Sequence, residues 1–118
     1  MELSQQEKII AHMIQLFDKQ EWFYPPDFMQ GGELFVGYGA SARFSELAKA
    51  YPEMFESRKK IDNLKYLERR FRFENLQRVF DTVPAYVSSF ILDQLARNGL
   101  TPAQVQEPRQ PRQASLLG

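Results

Sequence analysis

The fold is decided by residues 39–60, which read Gly-Ala-Ser-Ala-Arg-Phe-Ser-Glu-Leu-Ala-Lys-Ala-Tyr-Pro-Glu-Met-Phe-Glu-Ser-Arg-Lys-Lys. Phe44, Leu47 and Tyr51 recur in this stretch at helical spacing, which predicts an amphipathic helix over residues 41–51 that ends at Pro52. The outward face of this helix carries polar and charged side chains, namely Arg43, Ser45, Glu46 and Lys49. A basic segment follows directly, and its structure determines the fold class.

The basic segment fits a hairpin better than a helix. Phe71 and Phe73 are two residues apart and are separated by an arginine, as in a half-buried strand. Asp62-Asn63 is suited to a turn. We therefore predict two strands, over residues 55–60 and 66–73. The alternative is a helix, because apolar residues of the same segment also recur at helical spacing among residue types that favour helices.

Toward the N-terminus the sequence predicts a long helix and a short one. Ser4 and Glu7 form a capping-box pattern, and apolar residues then repeat at helical spacing. Pro25-Pro26 suits the first turn of the short helix, where a missing N–H costs little. Residues 34–36 are expected to form a brief buried extended run. The dense aromatic residues between positions 22 and 38 are assigned to the core, with base stacking as the alternative.

Toward the C-terminus we expect one more helix and then a tail. Residues 84–98 are amphipathic, and Asn98-Gly99 is a natural C-cap. From Thr101 onward the chain is rich in Pro, Gln and Arg and has no periodic apolar positions, which indicates a disordered tail. The sequence therefore predicts one α+β domain over residues 1–99 and a disordered tail over residues 100–118.

The zero net charge of the chain conceals a marked asymmetry. Residues 1–42 carry two Lys and six Asp or Glu, whereas residues 43–72 carry nine Lys or Arg against five acids, a net charge of +4. Residues 73–118 carry four of each sign. A local cationic surface of this kind attracts a polyanion, although a solvated charged face is the alternative.

Catalytic and cofactor chemistry finds no support in the composition. The chain has no cysteine, and its single histidine, His12, is expected to be structural because it has no cluster of partners. The glycines at 31–32 and 37–39 lack the context of a phosphate-binding loop. No signal peptide or membrane-spanning run is apparent. We therefore expect a cytoplasmic, non-enzymatic protein that needs no metal or cofactor.

Several of these features together resemble a known family. The capped first helix, the short helix opened by proline, the segment Ala42-Arg-Phe-Ser-Glu-Leu-Ala-Lys and the run Glu56-Ser-Arg-Lys-Lys before a β-like segment are similar to winged helix-turn-helix domains of phage- and plasmid-borne genes. The resemblance covers roughly residues 4–80. One departure is that the interval before the third helix is longer than a tight helix-turn-helix turn.

The resemblance implies a winged helix-turn-helix core, with an additional C-terminal helix, that binds double-stranded DNA. The third helix would enter the major groove, with Arg43 on guanine or phosphate and with Ser45 and Lys49 on the backbone. The wing would contact phosphates through basic residues, namely Arg58, Lys59, Lys60, Lys65, Arg69 and Arg70. The alternative for Arg43 and Lys49 is pairing with acids of the same helix.

The end of the tail carries a second pattern. Residues 113–118, Gln-Ala-Ser-Leu-Leu-Gly, are similar to the short peptide that partners of the bacterial sliding clamp present. Its contact residues would be Gln113, Ser115, Leu116 and Leu117. A tethered peptide of this kind works by a high local concentration. An inert tail is the default alternative.

The function expected from the sequence is DNA binding without catalysis, in transcriptional control or in replication of a bacterial or mobile-element system. A homodimer formed through the helix over residues 84–98 would suit specific recognition. The alternative is a protein–protein interaction adaptor on the same scaffold, which the acidic first 42 residues and the zero net charge favour.

Overall fold

The architecture is helical with one small antiparallel sheet, as described by a computed structural model for residues 3–29, 32, 34–60 and 62–108. Its α-helices are α1 Gln5–Gln15, α2 Ala40–Ala50, α3 Leu76–Thr82, α4 Ala85–Arg97 and α5 Pro102–Gln106. Short 3₁₀ helices span Pro25–Phe28, Gly37–Gly39 and Phe73–Asn75. The strands are β1 Phe55–Lys60 and β2 Asn63–Phe71. The α+β class predicted from the sequence is therefore confirmed.

Helix α1 begins as the capping-box pattern predicts. The Ser4 Oγ accepts a hydrogen bond from the Glu7 N–H at 3.1 Å, and Glu7 Oε1 accepts one from the Ser4 N–H at 2.9 Å. These bonds satisfy amide groups that the first turn of a helix leaves without partners. The apolar side of the helix is buried against the rest of the domain, through Ile9, Ile10, Met13 and Ile14.

The predicted hairpin is confirmed, and the helical alternative for this segment is wrong. The second strand runs over Asn63–Phe71 and not over the predicted 66–73, because Phe73 begins a 3₁₀ helix. β1 and β2 pair antiparallel with Phe55 opposite Phe71, and the register shifts by an irregularity after Lys59. The chain before α2 adds a single bridge to β2. In this bridge Phe23 donates to the Arg69 carbonyl at 2.9 Å, and Arg69 donates to the Phe23 carbonyl at 2.7 Å.

A chain of aromatic rings joins the elements. Phe28 packs edge-on against Phe44 of α2, with ring centroids 5.2 Å apart, and Phe44 packs edge-on against Phe55 of β1 at 5.5 Å. Phe55 in turn meets Phe71 across the sheet at 6.0 Å. Such contacts add about 0.5–1.5 kcal/mol each beyond the apolar area they bury. They fix α2 against the base of the hairpin.

The expected extended run over residues 34–36 is wrong in part. Val36 is buried, but Phe35 is 43% exposed, and residues 34–36 belong to no strand. The backbone instead enters the 3₁₀ turn Gly37–Gly39, where Gly37 has a φ of +87° that favours glycine. Three apolar residues in a row carry no periodicity, so they do not distinguish a strand from a packed loop.

The C-terminal region is more ordered than the sequence indicates. Gly99, with a φ of +71°, ends α4 where the C-cap was predicted. The expectation of disorder is wrong for residues 101–106, because Thr101 caps α5, Pro102 occupies its first turn and Val105 is 1% exposed. Helix α3 also has no predicted counterpart, since its seven residues are too short for a periodic pattern. Residues 109–118, with the clamp-like peptide, lie outside the described residues.

None of the helices within the described ranges is both long and apolar enough to span a membrane.

Candidate nucleic-acid interface

The two faces of the hairpin differ in charge. Side chains alternate along each strand, so the positions that share a face with the buried Phe55–Phe71 pair form a core-side face. This core-side face continues outward through two cross-strand pairs, Ser57 opposite Arg69 and Lys59 opposite Leu67. The outer face holds the other two pairs, Glu56 opposite Arg70 and Arg58 opposite Glu68. Within these pairs, carboxylates occur on the outer face and are absent from the core-side face.

The outer face is neutralised by its own pairs. Arg58 Nε lies 2.8 Å from Glu68 Oε1, and its guanidinium stacks 3.8 Å from the centre of the Trp22 ring. A charge pair in this position across a sheet stabilises by only about 0.2–1 kcal/mol. The pair also weakens the local positive electrostatic field, because Glu68 already balances the charge of Arg58 in the absence of a ligand.

Arg70 is the centre of a larger acidic cluster. Its guanidinium lies 2.6 Å from Glu56, 2.7 Å from Glu74 and 3.6 Å from Glu21. The hydrogen bond to Glu74 raises the pKa of Arg70, although partial burial opposes the rise. Three carboxylates around one cation leave this surface acidic. The predicted phosphate contacts at Arg58 and Arg70 therefore lie on a side of the hairpin whose cations are already matched.

Arg69 is buried, which corrects its expected place on an exposed wing. Only 9% of its surface is exposed, and its guanidinium carbon lies 5.0 Å from the centre of the Phe44 ring. Residue 69 alternates with the buried Phe71 and Phe73, and this pattern is visible in the sequence. Burial lowers the pKa of Arg69. The other side chains of the core-side face that follow the Phe55–Phe71 pair are exposed, namely Ser57, Lys59 and Leu67.

The predicted recognition helix, α2, presents a mixed surface. Arg43 Nη1 donates to both carboxylate oxygens of Glu46, at 2.8 and 3.0 Å, so the alternative of pairing within the helix is realised for Arg43. Glu46 also accepts a hydrogen bond from Gln6 at 3.2 Å. Ser45 is half-buried, whereas Lys49 is exposed and has no ion pair with any residue that the structure describes.

Two further predicted contacts flank the turn of the hairpin. Lys60 ends β1, and Lys65 lies near the start of β2. Their backbones belong to the sheet, and their side chains are outside the description. Lys59 precedes them on β1, is exposed and makes no ion pair within the described part of the chain. The turn region is therefore the most lysine-rich part of the hairpin.

His12 faces aromatic rings. It lies edge-on to Phe28 at 5.1 Å and to Phe23 at 5.9 Å, and its Nδ1 is buried without a hydrogen-bond partner among the described residues. Burial lowers the pKa of His12, with a smaller opposing effect from Asp27, so the neutral imidazole is favoured near pH 7. In the described ranges, no group of three or more His, Asp or Glu is arranged to hold a metal ion.

The helix predicted to mediate dimerisation has apolar exposure on its outer side. Tyr86 is 72% exposed and Leu92 is 42% exposed on α4. The neighbouring Tyr86 side chain and partial burial raise the pKa of Tyr51, which places Tyr86 of α4 close to the end of α2. A groove of about 340 Å³ lies between α1, α2 and α4, and its apolar wall includes Ile10, Leu47 and Phe90.

The arrangement offers exposed ammonium groups, a hydroxyl and a buried guanidinium on the core-side face and on α2, which suits contact with an anion. Comparison with protein-family models, with curated proteins and with solved structures finds no match to this chain.

Proposed function

We propose that the chain is a winged helix-turn-helix protein that binds double-stranded DNA without catalysis, in transcriptional control or replication of a bacterial or mobile-element system. The order of elements supports this proposal: a first helix, an isolated β-bridge at Phe23, the short helix Pro25–Phe28, α2, and then a hairpin. In a winged helix-turn-helix domain the third helix enters the major groove and the hairpin is the wing. Here α2 is that helix, after α1 and the short helix Pro25–Phe28.

One observation carries the proposal: the core-side face of the hairpin bears cations and no carboxylate among its described cross-strand pairs. This face meets α2 at Phe44, whose ring contacts both Phe55 and the Arg69 guanidinium. A DNA backbone that follows α2 and this face would meet Lys49 and Lys59 before any acid of the outer face. Phosphate contacts position a protein on the duplex, and base contacts then specify the site.

The proposal reassigns the roles of the predicted contact residues. Arg43, Ser45 and Lys49 remain the candidates on α2, where Arg43 must leave Glu46 to reach a base or a phosphate. Lys59, Lys60 and Lys65 remain the candidates on the wing. Four lysine–phosphate contacts predict a slope of about −3 to −4 for log K against log salt. Arg58 and Arg70 become structural residues of the outer face.

The test is the affinity for a random 20–25-bp duplex, measured by fluorescence anisotropy at several salt concentrations. We expect Lys49→Ala/Lys59→Ala to weaken binding on the order of tenfold at low salt and to reduce the slope by about 2. The matched control is Arg58→Ala/Arg97→Ala, which removes the same charge from the outer face and from α4. Equal losses in the two double variants would mean that net charge, and not this face, determines binding.

A protein–protein adaptor is the second candidate, and the exposed Tyr86 and Leu92 on α4 favour it. The same helix is the candidate for a homodimer, so sedimentation of wild type and Leu92→Asp distinguishes self-association from capture of another protein. The clamp-like peptide remains a prediction for residues 113–118. Deleting these residues should abolish capture by a sliding clamp and leave DNA binding unchanged.

A further inference from the structure

Arg69 is a buried cation that has no charged partner in the part of the chain that the structure describes. Nine-tenths of its surface is buried, and its side chain makes no hydrogen bond or ion pair with any residue in the described ranges. Its Nε is fully buried and unpartnered. Every other arginine that is described, namely Arg43, Arg58, Arg70, Arg72, Arg78 and Arg97, lies within 4 Å of a carboxylate. Arg69 is therefore the exception on a chain that otherwise pairs its guanidinium groups.

The isolation of Arg69 is energetically unfavourable. A buried charge is normally paired or hydrogen-bonded, because removing it from water is costly. The Phe44 ring offsets this cost only in part, since a cation–π contact at 5.0 Å is much weaker than hydration. Burial accordingly lowers the pKa of Arg69, and no carboxylate of a described residue raises it. An anion that reached the guanidinium would recover the lost interaction.

The neighbours of Arg69 suit an anion. The backbone N–H and C=O of Arg69 both bond to Phe23, which leaves its pairing with Ser57 a non-hydrogen-bonded one, the type with the closest side chains. The Ser57 hydroxyl is thus next to the Arg69 stem on the core-side face. Lys59 follows two positions along β1 and is exposed on the same face. These residues supply two charges and a hydroxyl donor, and no acid.

We propose that Arg69, with Ser57 and Lys59, forms a binding site for a phosphate group at the junction of the hairpin and α2. Guanidinium groups bind phosphate through two parallel hydrogen bonds, and a neighbouring ammonium adds a point charge. The two outer nitrogens of Arg69 are the donors, because Nε is closed off from solvent. The source of the phosphate is either a free phosphate group or the backbone of DNA; only the second rests on the proposed function.

The test is thermal unfolding of the full chain in sodium phosphate against sodium chloride at equal ionic strength and pH. When phosphate exceeds its Kd about tenfold, linkage predicts a rise in Tm of about 5 °C for wild type. Arg69→Met should be more stable than wild type in chloride, because an apolar side chain replaces an unpaired charge, and it should lose the phosphate response. Arg58→Met is the matched control and should keep the response. Equal responses in wild type and Arg69→Met would overturn the site.

A second measurement uses wild type and so does not depend on how well a variant folds. The buried Nε–H of Arg69 should give a protected cross-peak in a ¹H–¹⁵N spectrum, and this peak should move more than the other arginine Nε–H peaks on titration with phosphate. Ser57→Ala should weaken the titration about two- to fivefold in Kd. A titration that moves all arginine peaks alike would also overturn the site.

Measurements of DNA binding distinguish a free phosphate group from a DNA backbone phosphate as the ligand. They also test the phosphate site separately from the proposed function. If the site takes a backbone phosphate, inorganic phosphate competes with a short duplex at constant ionic strength in wild type and not in Arg69→Met. A phosphate response without any duplex binding supports the site with a free phosphate group and removes the proposed function. Duplex binding without a phosphate response leaves the proposed function in place and removes this site.

Discussion

The two faces of the hairpin differ in whether their cations are paired with carboxylates. On the outer face, Glu56 and Glu68 stand opposite Arg70 and Arg58, so that each cation is matched within 3 Å. On the core-side face, Lys59 and Arg69 stand opposite Leu67 and Ser57, and neither has an ion pair within the described residues. The faces differ because acids in β1 and β2 occupy positions of one parity. Strand alternation, and not the net charge of the segment, therefore decides which cations face an acid across the hairpin.

The two faces also differ in their expected contribution to the stability of the fold. Pairs on the outer face hold the strands in register and connect them to neighbouring elements, at a modest gain in stability. On the core-side face, Arg69 lies next to the hydrophobic core without a charged partner among the described residues, and we expect this to lower stability. Residues that weaken a fold in this way concentrate at functional sites. This contrast is why the core-side face, and not the more heavily charged outer face, is the candidate interface.

The largest expected effect comes from the ring that connects the core-side face to α2. Phe44 is fully buried between Phe28 and Phe55 and lies over the Arg69 guanidinium. We expect Phe44→Ala to destabilise the fold by about 3–5 kcal/mol, because it creates a cavity and removes the aromatic contact of a buried cation. Urea unfolding measures this loss. Leu67→Ala, at the exposed end of the same face, should cost no more than about 1 kcal/mol. Similar losses at both positions would contradict the description of this face as buried at Phe44 and exposed at Leu67.

The next effect concerns the outer face. Arg70→Met leaves Glu21, Glu56 and Glu74 close together without their shared cation. We expect a loss of about 1–2 kcal/mol near pH 7, since several partly exposed pairs are removed together. Arg97→Met, which breaks an exposed pair with Asp93 on α4, should cost about 0.5 kcal/mol or less. A loss for Arg70→Met as small as that of the control would mean that the cluster contributes only surface charge.

The loss in free energy of unfolding caused by Arg70→Met should become smaller as the pH falls. Burial tends to raise the pKa of Glu74, but the hydrogen bond from Arg70 and the nearby arginines more than offset this, so the pKa lies below its ordinary value of 4.5. A carboxyl group with a lowered pKa stabilises the fold above the unfolded value, and this contribution is lost as the pH falls through the folded value. The difference between wild type and Arg70→Met in free energy of unfolding should therefore shrink below pH 4.5. A difference that is constant from pH 7 to pH 3 would contradict this assignment.

Sequence patterns predict the long elements, in which apolar residues repeat with a regular period. The capping box at Ser4, the helix around Phe44 and a hairpin that begins at Phe55 all follow from local rules, and all are present, although the second strand ends at Phe71 and not at the predicted Phe73. The assignment is wrong in part for residues 34–36 and wrong for residues 101–106. Val36 and Val105 are single buried side chains that give no repeated apolar signal. The start of α5 does carry a local signal, because Thr101 and Gln104 form a capping box and Pro102 follows Thr101.

The sequence predicts which residues form the candidate site better than it predicts which of them are paired or buried. The basic segment and its alternation indicate a charged hairpin, and the same alternation groups Arg69 with the buried Phe71. Which cations are neutralised depends on contacts far apart in sequence, such as that of Arg70 with Glu21. The unpaired state of Arg69 depends on what α2 places above it, namely the Phe44 ring. Neither property has a local sequence signal.

The last pair of variants compares α2 with the outer face of the hairpin in DNA binding, where we expect only a small change in affinity. Glu46 holds Arg43 on α2 through the contact at 2.8 Å, and both side chains are partly exposed. We expect Glu46→Gln to raise the affinity for duplex DNA about threefold at low salt, because it frees Arg43 and removes a negative charge from the helix that would face phosphates. Glu56→Gln makes the same change of charge on the outer face and should alter the affinity by less than about 1.5-fold. Both effects should fade as salt increases. If Glu56→Gln raised the affinity as much as Glu46→Gln, DNA would be responding to total charge, and the distinction between the two faces would have no part in binding.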